Sequence, residues 1–223
     1  MNTYQSIEEF KVEICDCIYT RYEKSIEEKN RFTLVLSGGN TPRGIYEYLG
    51  DNYLNRINWS KVYFFWLDER CTAPENLDSN YFMAHSHLLS KLDHVGGIYR
   101  IRGELDKERA TRLYLKELNS FFGTEEICFD LILLGMGTDG HIASIFPGLE
   151  HSEKTKEIVF YTNKEYNGYY RISLGLDVIN ACKYNLLMLK GREKIEIFKN
   201  GNESHLLPKD LVNFSKIICI DDE

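Results

Sequence analysis

Proline and tryptophan are scarce, four and two among 223 residues. No apolar run approaches the ~18 residues that a membrane-spanning helix requires, so no membrane partner is expected. With 43% hydrophobic and 27% charged residues, the composition excludes the disordered and fibrous classes that proline or glycine enrichment would mark. Positive charge is also short: 27 Lys and Arg face 34 Asp and Glu, a net charge of −7. That balance argues against a nucleic-acid surface while leaving room for a concentrated basic pocket around a small anion. The six cysteines show no C-x-x-C spacing and are too sparse for a disulfide-stapled domain, so they read as reduced thiols. Cys15 and Cys17 lie two apart in a helical pattern, about 200° around its axis, which keeps them from sharing a metal. His85, His87, His94, His151 and His205 show no paired ligand spacing, and no metal site is expected. MNTYQSIEEFK lacks an apolar signal core, so a cytoplasmic location is expected and the N-x-S/T matches at Asn58, Asn202 and Asn213 count as chance.

A chain of this length is expected to form one domain, spanning residues 1–223. Ser6 and Glu9 make a capping-box pattern, and Ile7, Phe10, Ile14, Cys17 and Ile18 follow at helical spacing, predicting a helix to about residue 29. FTLVL (32–36) is a short β-rich run, and after it Thr41 is placed to cap a helix whose first residue is Pro42. VYFFWL (62–67) predicts a second strand, and Tyr81, Ala84, Leu88 and Leu89 a helix from about Asn80 to Leu92. FDLILLG (129–135) is apolar on both faces, as befits a central strand of a parallel sheet covered on both sides. EIVFY, YRISL, a short helix from Leu176 to Ala181, YNLLMLK, a helix from about Glu193 and the strand KIICI complete the series. Alternating strand and helix predicts a doubly wound, mostly parallel α/β sheet with helices on both faces and ligands at the carboxyl ends of the strands.

Three polar or glycine-bearing loops fall after predicted strands: SGGNTP, DER and GMGTDGH. Their positions converge on one crevice in such a sheet. Without side chains, Gly38 and Gly39 let backbone N–H groups approach an anion at the start of a helix. A tight turn needing glycine for positive φ is the alternative. The loop is neither a Walker loop nor a dinucleotide fingerprint, and Val35 stands where a nucleophile elbow at Ser37 would need glycine. In GMGTDGH, Gly135, Gly137 and Gly140 let the chain present Asp139 beside His141, making His141 a general-base candidate whose tautomer a carboxylate can hold. Arg70 is suited either to an anion or to a salt bridge with Asp68 or Glu69. Arg171, at the start of a strand, and Lys194, at the start of a helix, are candidate phosphate partners or exposed surface.

LSGGNTPRGIYEYL, FFWLDERCTAPENLDSNY, DLILLGMGTDGHIASIFPG and YYRISLGLDVIN together resemble the 6-phosphogluconolactonase family. That resemblance implies a Rossmann-like α/β/α sandwich that hydrolyses a phosphorylated sugar lactone, with no metal or organic cofactor. It makes His141 the base that activates water, with Asp139 beside it, and Arg70 a support for substrate and oxyanion. Gly38, Gly39, Thr41, Arg171 and Lys194 would hold the phosphate, and Asn40, Asp68, Asn80, Gly135 and Gly137 would also line the substrate site. The related glucosamine-6-phosphate isomerases resemble GHIAFNEP, with a glutamate where Phe146 stands here, and D-E-Y in place of Asp68, Glu69 and Arg70; both differences favour the lactonase branch. A sugar-phosphate sensor of related fold would carry a DNA-binding module, and none is visible. The expected partner is a small phosphosugar lactone, with the chain a monomer or small homo-oligomer.

Overall fold

The computed structural model describes residues 1–149, 152–200 and 206–221. Strand β1 (Asn2–Tyr4) precedes helix α1 (Ile7–Lys29). The hydroxyl of Ser6 accepts from the backbone N–H groups of Glu8 and Glu9, and the helix ends at Asn30 in the left-handed region. Then follow β2 (Phe32–Leu36), α2 (Asn40–Asn52), β3 (Val62–Trp66), β4 (Asp68–Arg70), α3 (Asn80–His87), β5 (Gly97–Tyr99) and α4 (Lys107–Phe122). The remainder comprises β6 (Leu131–Leu134), β7 (Val159–Tyr161), β8 (Arg171–Leu174), α5 (Leu176–Asn180), β9 (Asn185–Lys190), α6 (Arg192–Asn200) and β10 (Lys216–Ile220).

Seven strands form one sheet in the order β1-β10-β9-β6-β2-β3-β5. Every pairing in it is parallel. β2 and β6 lie at its centre and are buried along their whole length, as the run of apolar residues on both faces requires. Helices cover both faces, which the strand pleat makes explicit. Leu34 pairs with Phe64 in register, so Phe32, Leu34 and Phe64 share one face while Phe65 points to the other. Tyr22 of α1 packs edge-on against Phe32, whereas Phe121 and Phe122 of α4 close on Phe65. The doubly wound, mostly parallel sheet expected from strand and helix alternation is the fold observed.

Several local expectations are corrected. Helix α2 begins at Asn40, with Gly39 at its cap and no side-chain capping bond, so Thr41 sits within the first turn instead of capping it. Gly39, at φ +104°, occupies the cap position that Thr41 was expected to fill. The helix from Asn80 stops at His87; the chain turns at Leu88 and continues as a 3-10 turn over Leu89–Lys91. DER is itself a strand, and with YRISL and EIVFY it builds a second, antiparallel sheet in the order β4-β8-β7. Strand β8 is as fully buried as β6, so burial pattern gives no hint of which sheet it joins. No element was assigned between residues 93 and 128, where β5 and α4 lie. Ala110, Tyr114, Leu118 and Phe122 are buried at a spacing of four, a legible helical signal. Cys15 and Cys17 are both buried, and all six thiols are free. His151 and His205 lie outside the described residues. No helix among the described residues is long and apolar enough to cross a membrane, and no group of metal-ligating side chains occurs among them.

The two central strands are clamped at their amino ends by a polar group in an apolar setting. Asp130 accepts from the backbone N–H and the hydroxyl of Thr33, each at 2.8 Å, while the Thr33 hydroxyl accepts from the Asp130 N–H at 2.9 Å. Lys29 lies 2.9 Å from the same carboxylate and Lys183 3.5 Å. Burial raises the Asp130 pKa, but the Thr33 N–H and the Lys29 ammonium outweigh it and hold the group below its ordinary value. Its stabilising contribution is therefore present at neutral pH, above the unfolded value of about 3.9, and is lost as pH falls through the lowered folded value. Asp130→Ala should cost about 3 kcal/mol in urea unfolding, since it strands Thr33 and Lys29 around a removed charge. The variant should also show less loss of stability than the parent between pH 5 and the acid limit of folding.

Candidate active site

From β2 the chain winds outward through β3 to β5, then returns to β6 on the other side of β2 and winds the opposite way through β9 to β10. The connections leaving the carboxyl ends of β2 and β6 diverge there, leaving a crevice at the point of reversal. SGGNTP leaves β2 and GMGTDGH leaves β6, and a cleft of about 200 Å³ opens between them.

The wall from β2 is backbone. A Cβ on Gly38 would lie 1.8 Å from the Asn80 side-chain oxygen, so only glycine admits this close approach. Gly39 has open space beside it and a left-handed φ, and Asn40 and Thr41, in the first turn of α2 where N–H groups have no helical acceptor, line the cleft. The preceding residue is fixed: Ser37 N–H donates to the Tyr46 hydroxyl at 3.0 Å, and that hydroxyl donates to the Ser37 carbonyl at 2.8 Å.

A second wall is built on Glu69, which is 2% exposed. Its carboxylate accepts from the N–H groups of Arg70, Asn80 and Tyr81, each at 2.8 Å, and from the Ser79 hydroxyl at 3.0 Å. Thus the middle residue of DER ties β4 to the first turn of α3. Burial pushes Glu69 up to about 7, while the N–H donors of Asn80, Tyr81 and Arg70 pull the other way. Asn80 donates from its side chain to the Asp68 carbonyl at 2.9 Å and carboxylate at 3.1 Å, and the Ser144 hydroxyl donates to the other Asp68 oxygen at 2.6 Å. The Arg70 guanidinium pairs with neither Asp68 nor Glu69; it reaches the Asp78 carbonyl instead.

Arg70 and Arg171 are direct cross-strand partners in the antiparallel sheet. Like charges placed opposite each other are unfavourable unless an anion is shared between them. Arg171 is buried and donates to the Tyr166 carbonyl at 3.0 Å, and the Nε atoms of both arginines are buried with no hydrogen-bond partner among the described residues. Burial, and then the neighbouring Arg70 charge, hold Arg171 below the usual guanidinium range. Lys194, in the first turn of α6, has its pKa lowered by burial and makes no ion pair among the described residues. Three cations with unsatisfied capacity thus line the cleft of a chain whose net charge is −7.

Opposite in chemistry is the loop after β6. His141 Nδ1 lies 2.6 Å from the Asp139 carboxylate, which also accepts from the His141 backbone N–H at 3.1 Å. Burial raises the Asp139 pKa, but the His141 ring outweighs it and the net shift is downward. An ionised carboxylate on Nδ1 fixes the tautomer in which Nε2 carries the free lone pair. Gly137 is required here, because a Cβ would fall 2.2 Å from His141 Nδ1 and 2.6 Å from the Asp139 oxygen. Phe146 lies 4.7 Å from the His141 ring, centroid to centroid.

Of the residues assigned to catalysis or substrate binding from the sequence, all but Asp139 line this one cleft; Asp139 reaches it through His141, and Gly140 of the same loop is not among the lining residues. Reading the sequence alone overlooked Glu69, Ser144 and Asn167. Glu69 carried a signal in its place between two motif residues. Ser144 and Asn167 carried none, since their contributions depend on loops that meet only in three dimensions.

Such a cleft, at the reversal of a parallel sheet with a histidine–carboxylate pair and a cluster of unpaired cations, defines an α/β protein of the kind that handles small phosphorylated ligands. The sequence model for glucosamine-6-phosphate isomerases/6-phosphogluconolactonase matches residues 5–217, and the chain belongs to that family. It is 36% identical over 177 residues to the 6-phosphogluconolactonase of Treponema pallidum, covering 78% of this chain and 73% of that one. Against probable 6-phosphogluconolactonase 2 of Arabidopsis thaliana it is 34% identical over 208 residues, covering 86% and 80%. The crystal structure of 6-phosphogluconolactonase from Thermotoga maritima superposes with a TM-score of 0.86 at 29% identity, covering 99% of both chains.

Replacing Glu69 tests the second wall. Its folded pKa of about 7 lies above the unfolded value, so its favourable contribution is complete at acid pH and declines as pH rises from about 4.3 toward 7. Glu69→Gln should flatten that decline in a pH series of chemical denaturation. It should also cost about 1–3 kcal/mol near pH 5, because an amide nitrogen cannot accept from the donors it meets.

Proposed function

We propose that this chain hydrolyses 6-phospho-D-glucono-1,5-lactone to 6-phosphogluconate, a step of the oxidative pentose phosphate pathway in the cytoplasm, with His141 as general base. The observation that carries this reading is the His141–Asp139 pair, at 2.6 Å, on the same cleft as the Gly38–Gly39 backbone and the Arg70–Arg171 pair. In the proposed reaction, His141 Nε2 removes a proton from water as its oxygen attacks C1 of the lactone. Negative charge then develops on the carbonyl oxygen, where Arg70 and the N–H groups of the glycine loops stabilise it. When the tetrahedral intermediate collapses, the C1 to ring-oxygen bond breaks. The imidazolium returns its proton to the leaving alkoxide, giving an open-chain acid.

Gly38, Gly39, Thr41, Arg171 and Lys194 hold the distant phosphate. Binding energy from that end places C1 against the base, so the anion site serves the chemistry as well as affinity. Asn40, Asp68, Asn80, Gly135 and Gly137 line the sugar between the two ends. Water, a base and oxyanion donors suffice for opening a lactone, so the mechanism calls for no metal or organic cofactor. Phe146 supports the lactonase branch of the family over the isomerase branch, because a phenyl ring offers no proton at the position beside His141. A monomer or small homo-oligomer accommodates this chemistry, which draws its groups from one chain.

His141→Ala should lower turnover by roughly 10²-fold or more while leaving 6-phosphogluconate binding nearly intact. The measurement is acid release from enzymatically generated lactone, corrected for spontaneous opening. Undiminished turnover in the folded variant would remove His141 from the mechanism, and ammonia release from glucosamine 6-phosphate well above background would move the chain to the isomerase branch.

A further inference from the structure

Between β7 and β8 the chain forms a short hairpin that neither the motifs nor the assigned roles account for. Tyr166 and Tyr169 bridge each other in antiparallel fashion around Asn167 and Gly168, whose φ values of 52° and 78° place both in the left-handed region. Two consecutive residues of that kind make the tight turn that an Asn-Gly pair favours. The hairpin is anchored at its far side, where the Tyr169 hydroxyl donates to the Asp78 carboxylate at 2.8 Å.

Tyr166 makes two connections at once. Its ring lies flat on Phe146, with centroids 3.7 Å apart and planes 4° from parallel, and Phe146 in turn lies 4.7 Å from the His141 ring. Its backbone carbonyl accepts from the Arg171 guanidinium at 3.0 Å. Side chain and main chain of one residue therefore connect to two different groups that line the cleft, the imidazole through Phe146 and the buried arginine directly.

Resting on the lactonase reading above, we propose that Tyr166 is a positioning residue. Through the Phe146 ring it holds the His141 imidazole at the angle set by Asp139, and through its carbonyl it holds Arg171, fixing the distance between base and phosphate site. The hydrogen bond that His141 Nδ1 donates to Asp139 fixes only one ring nitrogen and leaves the imidazole free to swing about it. A flat ring backed by a second flat ring blocks that swing on one face. Arg171 needs similar restraint, since it lies opposite another guanidinium and is repelled by it. The phenolic oxygen has no part in either connection, and Tyr166→Phe should behave as the parent.

Five proteins test this: the parent, Tyr166→Phe, Tyr166→Ala, Phe146→Ala and the Tyr166→Ala/Phe146→Ala double variant. Tyr166→Ala should lower kcat roughly tenfold, in line with the cost of a misplaced reacting group, with Tyr166→Phe within about twofold of the parent. The double variant should lose no more than Phe146→Ala alone, because both substitutions break the same column. The ring-proton resonances of His141 should move in Tyr166→Ala and stay in Tyr166→Phe, a readout that does not require turnover. Unmoved His141 resonances in folded Tyr166→Ala would overturn the proposal whatever the substrate. Parent-like kcat in that variant, or losses that simply add in the double variant, would do the same. Absence of lactone hydrolysis by the parent, with the resonances shifting as expected, would instead discard the assigned reaction and leave the positioning role standing. Should Tyr166→Ala fail to fold, Tyr166→Leu replaces it, keeping apolar volume without a flat face.

Discussion

Two neighbouring parallel strands whose chains depart in opposite directions create the one place on this sheet where backbone cannot close over the strand ends. Everything assigned to the site depends on that constraint. β2 and β6 are held together at their amino ends by Asp130 and Thr33, deep in an apolar sheet, and open at their carboxyl ends into the cleft. The rigid end and the open end belong to the same strands, so the polar clamp sets how the glycine loops face each other.

Electrostatics gives the cleft its character. An acidic protein collects Arg70, Arg171 and Lys194 in one small volume and leaves them short of partners. Such an arrangement is unfavourable in the empty cleft; in the proposed reaction the phosphate would meet Arg171 and Lys194, and the charge developing at the carbonyl would meet Arg70. A carboxylate also sits on a histidine that lines the same cleft, keeping the ring oriented. In the proposed reaction these groups serve one substrate, holding its charged tail while acting on its neutral ester. Glu69 contributes from outside the cleft by locking β4 to α3, placing Arg70 and Asn80 on a common wall.

Local motifs were legible where a residue type does a local job. Ser6 caps α1 as its pattern indicates, and glycines 38 and 137 are required by the close approach of Asn80 and His141. The central strands were visible because burial on both faces leaves a continuous apolar run. Legibility ended where pairing is non-local. DER and YRISL are separated by about a hundred residues, and nothing in either short run announces an antiparallel partner outside the main sheet, so the juxtaposition of Arg70 with Arg171 emerged only from the register. The expected Thr41 cap failed because a left-handed glycine can begin a helix on its own, a geometry that residue type suggests but does not place. The hairpin around Asn167 follows the same logic: it was not assigned from the sequence, and its stacking on Phe146 emerges only in three dimensions.

Direct evidence would come from a crystal structure of the chain with 6-phosphogluconate bound. The expected result places the phosphate against the Gly38–Gly39 N–H groups, Arg171 and Lys194, and the C1 carboxylate within hydrogen-bonding reach of His141 Nε2. Product seated in the reverse orientation, or anywhere other than the crevice between β2 and β6, would contradict the assignment of the two ends.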